Sequence, residues 1–582
     1  MVADRRILYY SLLILSILLA SSLYLSWTVD RGLGTLDVER TGVEPEPGRS
    51  VNFTVYSPRE EYPGLMPVVL TIHGLGGAKE AMYAFNIELA RRDFTVVAID
   101  LAGHGDSSES FDIDNYTRMA EDCYAVLQYV GSNYTDVNPS LYGVVGHSLG
   151  VHVGLAMYEM AVQPKAIAAI GPVWLEDSMP LPGNLLLAAG EFDELIPRGS
   201  LLELIRTLSG FPDAMAGITY GGFDGDAAYR LVLSPTNHIG EATDMLIVSE
   251  TVSWMLQALH NVEEPDLSGI QVQLIYERKT VAYVVGAASL LFSLIPLLLI
   301  SLIHLPERIR PLSLSNDTEP MSLRREAVLS SMLAVIFVLF YLLSGLAGIA
   351  LEGMGIELSL SMLGTGLLLF FIVCPVLWVI VMTLMAGKQR MLRSLVALGY
   401  KKPHLRSFLL KVARAVIPAL ICMAWLLFWA ALGGLPGTTG PVIVFPLFRF
   451  PNDERIVSLL AMTCLALPFS ISDVLWTRGL LLAERDWGDR MPYARRFVSV
   501  WGMRVVPTLS LAIVAVLGSA ALGIIAAPVV LLGLLLLHFV IASAVVSMLV
   551  IFVSVEHGNP WPATIIGAFL YAWILIGAIP LV

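Results

Sequence analysis

Ile7–Trp27 (ILYYSLLILSILLASSLYLSW) carries no charge, and from Val281 to Val582 one apolar run follows another. In hydrocarbon every unpaired backbone N–H or C=O costs several kcal/mol, so a bilayer-spanning segment is a helix or part of a closed barrel. About 20 apolar residues in helical form cover a core of about 30 Å. Runs of that length are expected as spans near 281–304, 328–350, 361–385, 413–433, 456–476, 505–524, 527–553 and 562–580, nine with the first. The chain is 56% hydrophobic and 15% charged, where soluble domains hold about 25% charged residues. A single soluble globule is excluded, and four Cys in 582 residues exclude a disulfide scaffold.

Orientation follows from the basic residues. Of 36 Lys and Arg, 20 fall in the segments that are cytoplasmic when the N-terminus is inside, the bias that sets orientation. The expected organisation is a cytoplasmic tail (1–6), a first transmembrane helix (7–27), an external domain (28–265), a linker (266–280) and a membrane domain of about eight helices (281–582). The first span is read as an uncleaved anchor, with a cleaved signal peptide as the alternative. Residues 28–280 hold 35 acidic and 14 basic side chains. So negative a segment argues against nucleic acid as a partner; the lipid bilayer is the partner of the spans.

Within 28–265, short apolar strands alternate with helical stretches, the pattern of a mostly parallel sheet with helices on both faces. Val68–Ile72 ends in His73-Gly74-Leu75-Gly76-Gly77. Phe94–Asp100 leads to Gly103-His104-Gly105-Asp106-Ser107. Leu141–Val145 runs into Gly146-His147-Ser148-Leu149-Gly150 and then a helix. Gly-x-Ser-x-Gly between a strand and a helix makes a sharp turn that lifts a serine hydroxyl above the sheet.

These motifs resemble the α/β-hydrolase superfamily, and most nearly its serine aminopeptidase and monoacylglycerol-lipase-like branch of esterases and lipases. The likeness covers roughly residues 50–260. It implies an α/β hydrolase fold, here joined to a polytopic α-helical transmembrane domain. It also implies a triad in the chain order Ser, Asp, His: Ser148 as nucleophile, Asp193 of Gly190-Glu191-Phe192-Asp193-Glu194-Leu195-Ile196-Pro197 as acid, and His238 after the last strand as base. Glu191 and Glu194 are rivals for the acid. The resemblance places the second oxyanion donor just after His73-Gly74, so the backbone N–H groups of Leu75 and Leu149 are the candidates. His73, Gly74, Gly146, His147 and Gly150 support the loops, as does His104.

The expected function is a membrane-bound serine hydrolase cleaving an ester or amide on the external face, with a small-molecule ester, amide or lipid as substrate. It needs no cofactor, and no Cys/His spacing for a metal is present. The alternative is a transporter or sensor that uses the hydrolase-like domain as a binding module. Only Pro172–Gly183 separates two strands where many lipases insert a cap, so an uncapped site is expected. In the membrane half Asp473 is either a proton or substrate site or the partner of Arg478, and Cys374, Cys422 and Cys464 read as core.

Overall fold

The computed structural model describes residues 5–112, 115–173, 182–263, 265–303, 322–352, 354–355, 364–398, 405–433, 451, 453–482, 493–521 and 527–578. The chain forms two compact units, one built around Ser21–Val284 and the other around Val285–Ala431 and Phe450–Gly577.

Helix α1 (Arg5–Asp30), whose residues up to Ala20 belong to the second unit, leads in the first unit into β1 (Leu36–Glu46), β2 (Arg49–Pro58), β3 (Met66–Ile72), α2 (Tyr83–Ala90), β4 (Thr95–Ile99) and α3 (Tyr116–Asn133). Then come β5 (Val137–His147), α4 (Leu149–Ala156), β6 (Ala166–Ile170), β7 (Leu185–Gly190), α5 (Arg198–Ser209), β8 (Thr219–Tyr220), β9 (Tyr229–Ser234), α6 (Met245–His260) and α7 (Leu267–Val272). The strands make one sheet in the order β1-β2-β4-β3-β5-β6-β7-β9-β8. Neighbours from β4 through β9 are parallel, while β1, β2 and β8 join antiparallel toward the two edges.

Every residue of β3 (MPVVLTI), β4 (TVVAI), β6 (AIAAI) and β7 (LLLAAG) is buried. A strand covered on both faces needs such an unbroken aliphatic run, because neither side meets water. The covers are α2 packed with α6 and α3 packed with α4. Helix α3 shows how its side is chosen. Met119, Cys123, Val126, Leu127 and Val130 recur at helical spacing and are buried. Asn115 caps its start by accepting from the Arg118 N–H at 3.2 Å, which satisfies one of the orphan donors of the first turn.

Residues 266–280 are largely helical. They form α7 and the first turn of α8 (Tyr276–Ile303), and Ile270, Ile275 and Tyr276 are buried in the core beneath the sheet. The apolar residues of this stretch pack because the sheet's α2–α6 side offers them a surface. Asp30 at the end of α1 pairs with Lys279 of α8, both side chains fully buried. The Tyr83 and Tyr283 rings each lie 5.2 Å from Lys279 Nζ.

The second unit holds the rest of α8 with α9 (Leu323–Glu352), α10 (Gly364–Ala386), α11 (Lys388–Ala397), α12 (Leu405–Gly433), α13 (Asp453–Val474), a π-helical stretch (Leu475–Leu482), α14 (Ala494–Ala521), α15 (Ala527–Glu556) and α16 (Trp561–Ala578). Among the described residues eight helices, α1 included, are long and apolar enough to cross a membrane. Over the ninth expected span, 562–580, the chain forms the apolar helix α16 (Trp561–Ala578). Asp473 pairs with Arg504 of α14, not with Arg478. Cys374 and Cys422 are buried, whereas Cys464 is exposed, so the reading of all three as core holds for two.

Candidate active site

Ser148 stands between β5 and α4 with φ 52° and ψ −113°, a backbone conformation that costs a non-glycine residue roughly 1–3 kcal/mol and persists only where its surroundings impose it. They do so here. The Ser148 N–H donates to the Ile170 carbonyl on the neighbouring strand at 2.8 Å. The flanking glycines are required by contact: a Cβ on Gly146 would lie 2.4 Å from the Gly150 carbonyl oxygen, and one on Gly150 would lie 2.2 Å from that of Ile72. The turn can close only if both positions lack a side chain. Ser148 is thereby held at the C-terminal end of the parallel strands.

Asp193 and His238, the expected acid and base, stand on the loops after β7 and β9. Asp193 Oδ2 accepts from His238 Nδ1 at 2.9 Å, and Asp193 Oδ1 accepts the Leu195 and Ile196 N–H groups at 2.7 and 3.2 Å. Burial works against the Asp193 carboxylate, but the contact with His238 and these donors hold its carboxyl below the ordinary value. With Nδ1 donating, His238 presents Nε2 as its basic nitrogen. The rivals have other work. Glu194 accepts from Asn237 Nδ2 and the His238 N–H, each at 3.3 Å, and Glu191 lies 3.8 Å from Arg198. Ser148 Oγ makes no hydrogen bond to His238 in this structure, the one triad link left open; such contacts commonly close only around substrate.

A Cβ on Gly74 would lie 3.1 Å from Ser148 Cβ, so the loop after β3 passes directly beside Ser148. Among the described residues neither the Leu75 nor the Leu149 amide meets a protein acceptor. His104 Nε2 accepts the Gly76 N–H at 3.1 Å and its Nδ1 donates to the Ala102 carbonyl at 2.8 Å. His73 donates from Nδ1 to the Gly74 carbonyl at 2.8 Å and accepts the Leu101 N–H at 3.2 Å. Both rings are used up in holding loops and have no nitrogen for general-base work. The segment where a cap was judged too long to fit falls largely on 174–181, outside the described residues.

Two features escaped the sequence reading. His260 also follows Asp193 in the chain, but it ends α6 with Nδ1 3.1 Å from Tyr62 Oη and takes no part in the site. The second is Glu241. Its carboxyl is fully buried, with Oε2 3.4 Å from both His238 Nδ1 and His147 Nε2, while Oε1 accepts the Gly190 N–H at 2.6 Å. Gly171 makes room for it, since a Cβ there would lie 2.2 Å from Glu241 Oε2 and 2.9 Å from the His238 ring. Burial, then the Asp193 charge, push the Glu241 carboxyl well above its ordinary pKa. Asp193 has three donors and Glu241 one backbone N–H, so Asp193 carries the charge and Glu241 the proton. Its place three residues after His238 is the signal that could have found it.

His147, Glu241 and His238 bring their ligand atoms within 4.8 Å of one another. His147 Nε2 donates to the His238 carbonyl at 3.1 Å, and burial, then the His238 charge, lower its pKa to about 3. His147 Nε2 and His238 Nδ1 both donate to oxygens, while Glu241 Oε2 is buried without a hydrogen-bond partner.

A carboxyl buried in its neutral form opposes folding once it must ionise. The stability it contributes is fully present below its unfolded pKa, near 4.5, and is lost as pH rises toward the raised folded value. Glu241→Gln removes this penalty. The variant should melt with the wild type near pH 4 and increasingly above it as pH rises to 8, read as apparent Tm of the purified chain; a difference independent of pH would show that Glu241 is ionised in the fold.

Residues 69–287 match the family model of the alpha/beta hydrolase family. The dihydrolipoyllysine-residue acetyltransferase component of the acetoin cleaving system of Cupriavidus necator is 29% identical over 178 residues, 27% of this chain and 44% of that protein, so the match spans less than half of that relative's length. A cold-adapted esterase from an Arctic intertidal metagenomic library is 20% identical over 39% of this chain and 95% of its own, with a TM-score of 0.28. A Pyrococcus furiosus esterase is 14% identical over 39% of this chain and 96% of its own, with a TM-score of 0.31. A Vigna radiata epoxide hydrolase variant is 22% identical over 24% of this chain and 39% of its own, with a TM-score of 0.19. With its parallel sheet and its serine at the strand-to-helix turn, the segment 69–287 has an alpha/beta hydrolase fold and matches the alpha/beta hydrolase family model.

Proposed function

We propose that the chain is a membrane-bound serine hydrolase that cleaves an ester or amide through an acyl-enzyme on Ser148. One observation carries the reading: His238 Nδ1 lies 2.9 Å from Asp193 Oδ2, on loops that follow the neighbouring strands β7 and β9, with β6 between them and β5, whose end holds Ser148 at positive φ. A module that only bound a ligand would have no use for a buried carboxylate that fixes an imidazole tautomer. This weighs against the transporter or sensor alternative.

Chemistry follows from the arrangement. A serine hydroxyl is a weak nucleophile until an imidazole accepts its proton. As Ser148 Oγ attacks the carbonyl carbon, His238 Nε2 takes the hydroxyl proton, and Asp193 stabilises the imidazolium through Nδ1–H. The carbonyl oxygen becomes an oxyanion at the Leu149 and Leu75 N–H groups, donors each worth about 3–4 kcal/mol where removed in comparable sites. Collapse breaks the bond to the leaving group, which takes the proton from His238 and leaves the acyl group on Ser148. Water then attacks with His238 again as base, releasing the acid and restoring the serine. Nothing in these steps draws on a cofactor. A carboxylic ester is the favoured substrate class, with an amide or peptide bond as the other.

Eight long apolar helices and the basic residues of the loops between them support a multi-pass protein in the cell membrane, N-terminus inside and hydrolase domain outside the cytoplasm. A fluorophosphonate probe should label the wild-type chain and not Ser148→Ala. Unlabelled wild type, or equal labelling of the variant, would end the hydrolase reading. On intact cells a membrane-impermeant form of the probe should label equally well, and protection of Ser148 there would reverse the topology.

A further inference from the structure

His238 and Glu241 stand on a segment that holds itself weakly. Gly240–Thr243 is a single 3₁₀ turn. Its own hydrogen bonds are mostly long. Asn237 accepts the Gly240 and Glu241 N–H groups at 3.0 and 3.2 Å, Glu241 accepts the Asp244 N–H at 3.3 Å, and Thr243 Oγ1 reaches the Gly240 carbonyl at 3.4 Å. Hydrogen-bond geometry in such turns is poor, so their shape depends on what touches them. The start of the segment is tied by Glu194 and His147. Its end is tied from another element. Tyr276, the first residue of α8, is 1% exposed and donates from Oη to the Thr243 carbonyl at 2.9 Å, two residues after Glu241 and five after His238.

Tyr276 is itself fixed. Glu88 of α2, fully buried, accepts the Ile275 and Tyr276 N–H groups at 2.7 and 3.0 Å through Oε1, satisfying orphan donors at the start of α8. Glu88 Oε2 is held in turn by Arg91 and Arg92 at 2.8 and 2.9 Å. The Tyr83 ring meets the Tyr276 ring edge-on, with centroids 6.3 Å apart. A side chain with its backbone pinned and its ring packed carries the position of one element to another.

A buried tyrosine hydroxyl usually finds a hydrogen-bond partner; here the choice of partner matters. Tyr83, as buried as Tyr276, pairs its hydroxyl with Thr280 Oγ1 of α8, away from the catalytic loops. Tyr276 gives its hydroxyl to the loop that carries the base. We propose that Tyr276 is a positioning residue for the hydrolase, fixing Thr243 and, through the turn, the His238 and Glu241 side chains. The inference rests on the reading of Ser148, Asp193 and His238 as a triad. It aligns the base from a helix that lies outside the stretch 50–260 carrying the hydrolase motifs and runs on to Ile303. Catalytic groups misplaced by about 1 Å can cost about 100-fold in rate, so a strut far from the reacting atoms has a measurable effect.

The test compares the purified full chain as wild type, Tyr276→Phe and Tyr83→Phe, each monodisperse by gel filtration. Both variants keep the ring and remove one buried hydroxyl at the foot of α8, so both should lower the apparent Tm alike. Only Tyr276→Phe should lower kcat on a para-nitrophenyl ester, by about 5-fold, the worth of one hydrogen bond, with KM unchanged and fluorophosphonate labelling of Ser148 slowed by the same factor. Only Tyr276→Phe should speed amide hydrogen exchange in the peptide covering 237–244. A role confined to stability would move Tm in both variants and kcat in neither. Tyr276→Phe with wild-type kcat, Tyr83→Phe with the same loss of kcat, or unchanged exchange at 237–244 would each overturn the assignment. A wild type that hydrolyses no ester and takes no fluorophosphonate would mean that the triad reading has failed, and the exchange measurement would still decide whether Tyr276 holds the turn.

Discussion

Ser148→Ala should lower kcat/KM for ester hydrolysis by at least about 10⁴-fold, and Asp193→Asn by about 10⁴-fold. The two losses have different origins. Alanine removes the atom that becomes acylated, so the remaining rate reflects only the oxyanion donors and substrate binding. Asparagine keeps the shape of Asp193 but turns an amide toward His238 Nδ1, now 2.9 Å from a carboxylate oxygen; the imidazole then favours the wrong tautomer and its cation loses a counter-charge. Residues that act as one machine are also non-additive. Ser148→Ala with His238→Ala should therefore be little slower than Ser148→Ala alone, as read from initial rates on a para-nitrophenyl ester. If the two losses multiply, the residues do not act together and the mechanism above is wrong.

Lys279→Met should lower the apparent Tm of the hydrolase unit by roughly 10 °C. Lys279 and Asp30 are both fully buried and bonded to one another. Removing one partner of such a pair leaves a charge in a low-dielectric site, at a cost of about 3–5 kcal/mol, and in a domain of this size each kcal/mol moves Tm by about 2–4 °C. The cation also loses the Tyr83 and Tyr283 faces it sits against. Replacing both partners, as Asp30→Leu with Lys279→Met, removes both charges together and should recover most of the loss. A double variant as unstable as the single would show that contacts other than the charge pair set the cost. Differential scanning fluorimetry of the detergent-solubilised chain reads both.

The site was legible in sequence wherever chemistry is carried by local spacing. Gly146-His147-Ser148-Leu149-Gly150 says strand, turn and helix because the glycines answer contacts within a few residues and from the adjacent β3 strand. Asp193 and His238 were legible by order along the chain. Glu241 was not, since a glutamate in a loop looks the same whether it faces water or a triad, and only the fold puts its Oε2 against His238 and His147. The apolar runs announced the helices but not their partners. Asp473 has Arg478 five residues away, yet it takes Arg504, 31 residues on, because helix packing rather than separation decides which charges meet. Strand β1 (LDVERTGVEPE) shows the same limit: its alternation is loose, and it is held as a strand by its register with β2.

The contact between Asp30 and Lys279 means that the stretch between them leaves and returns at a single point. The segment 31–278 therefore starts and ends at one place, and a segment with coincident ends can be exchanged for another with closely spaced ends without breaking the chain path on either side.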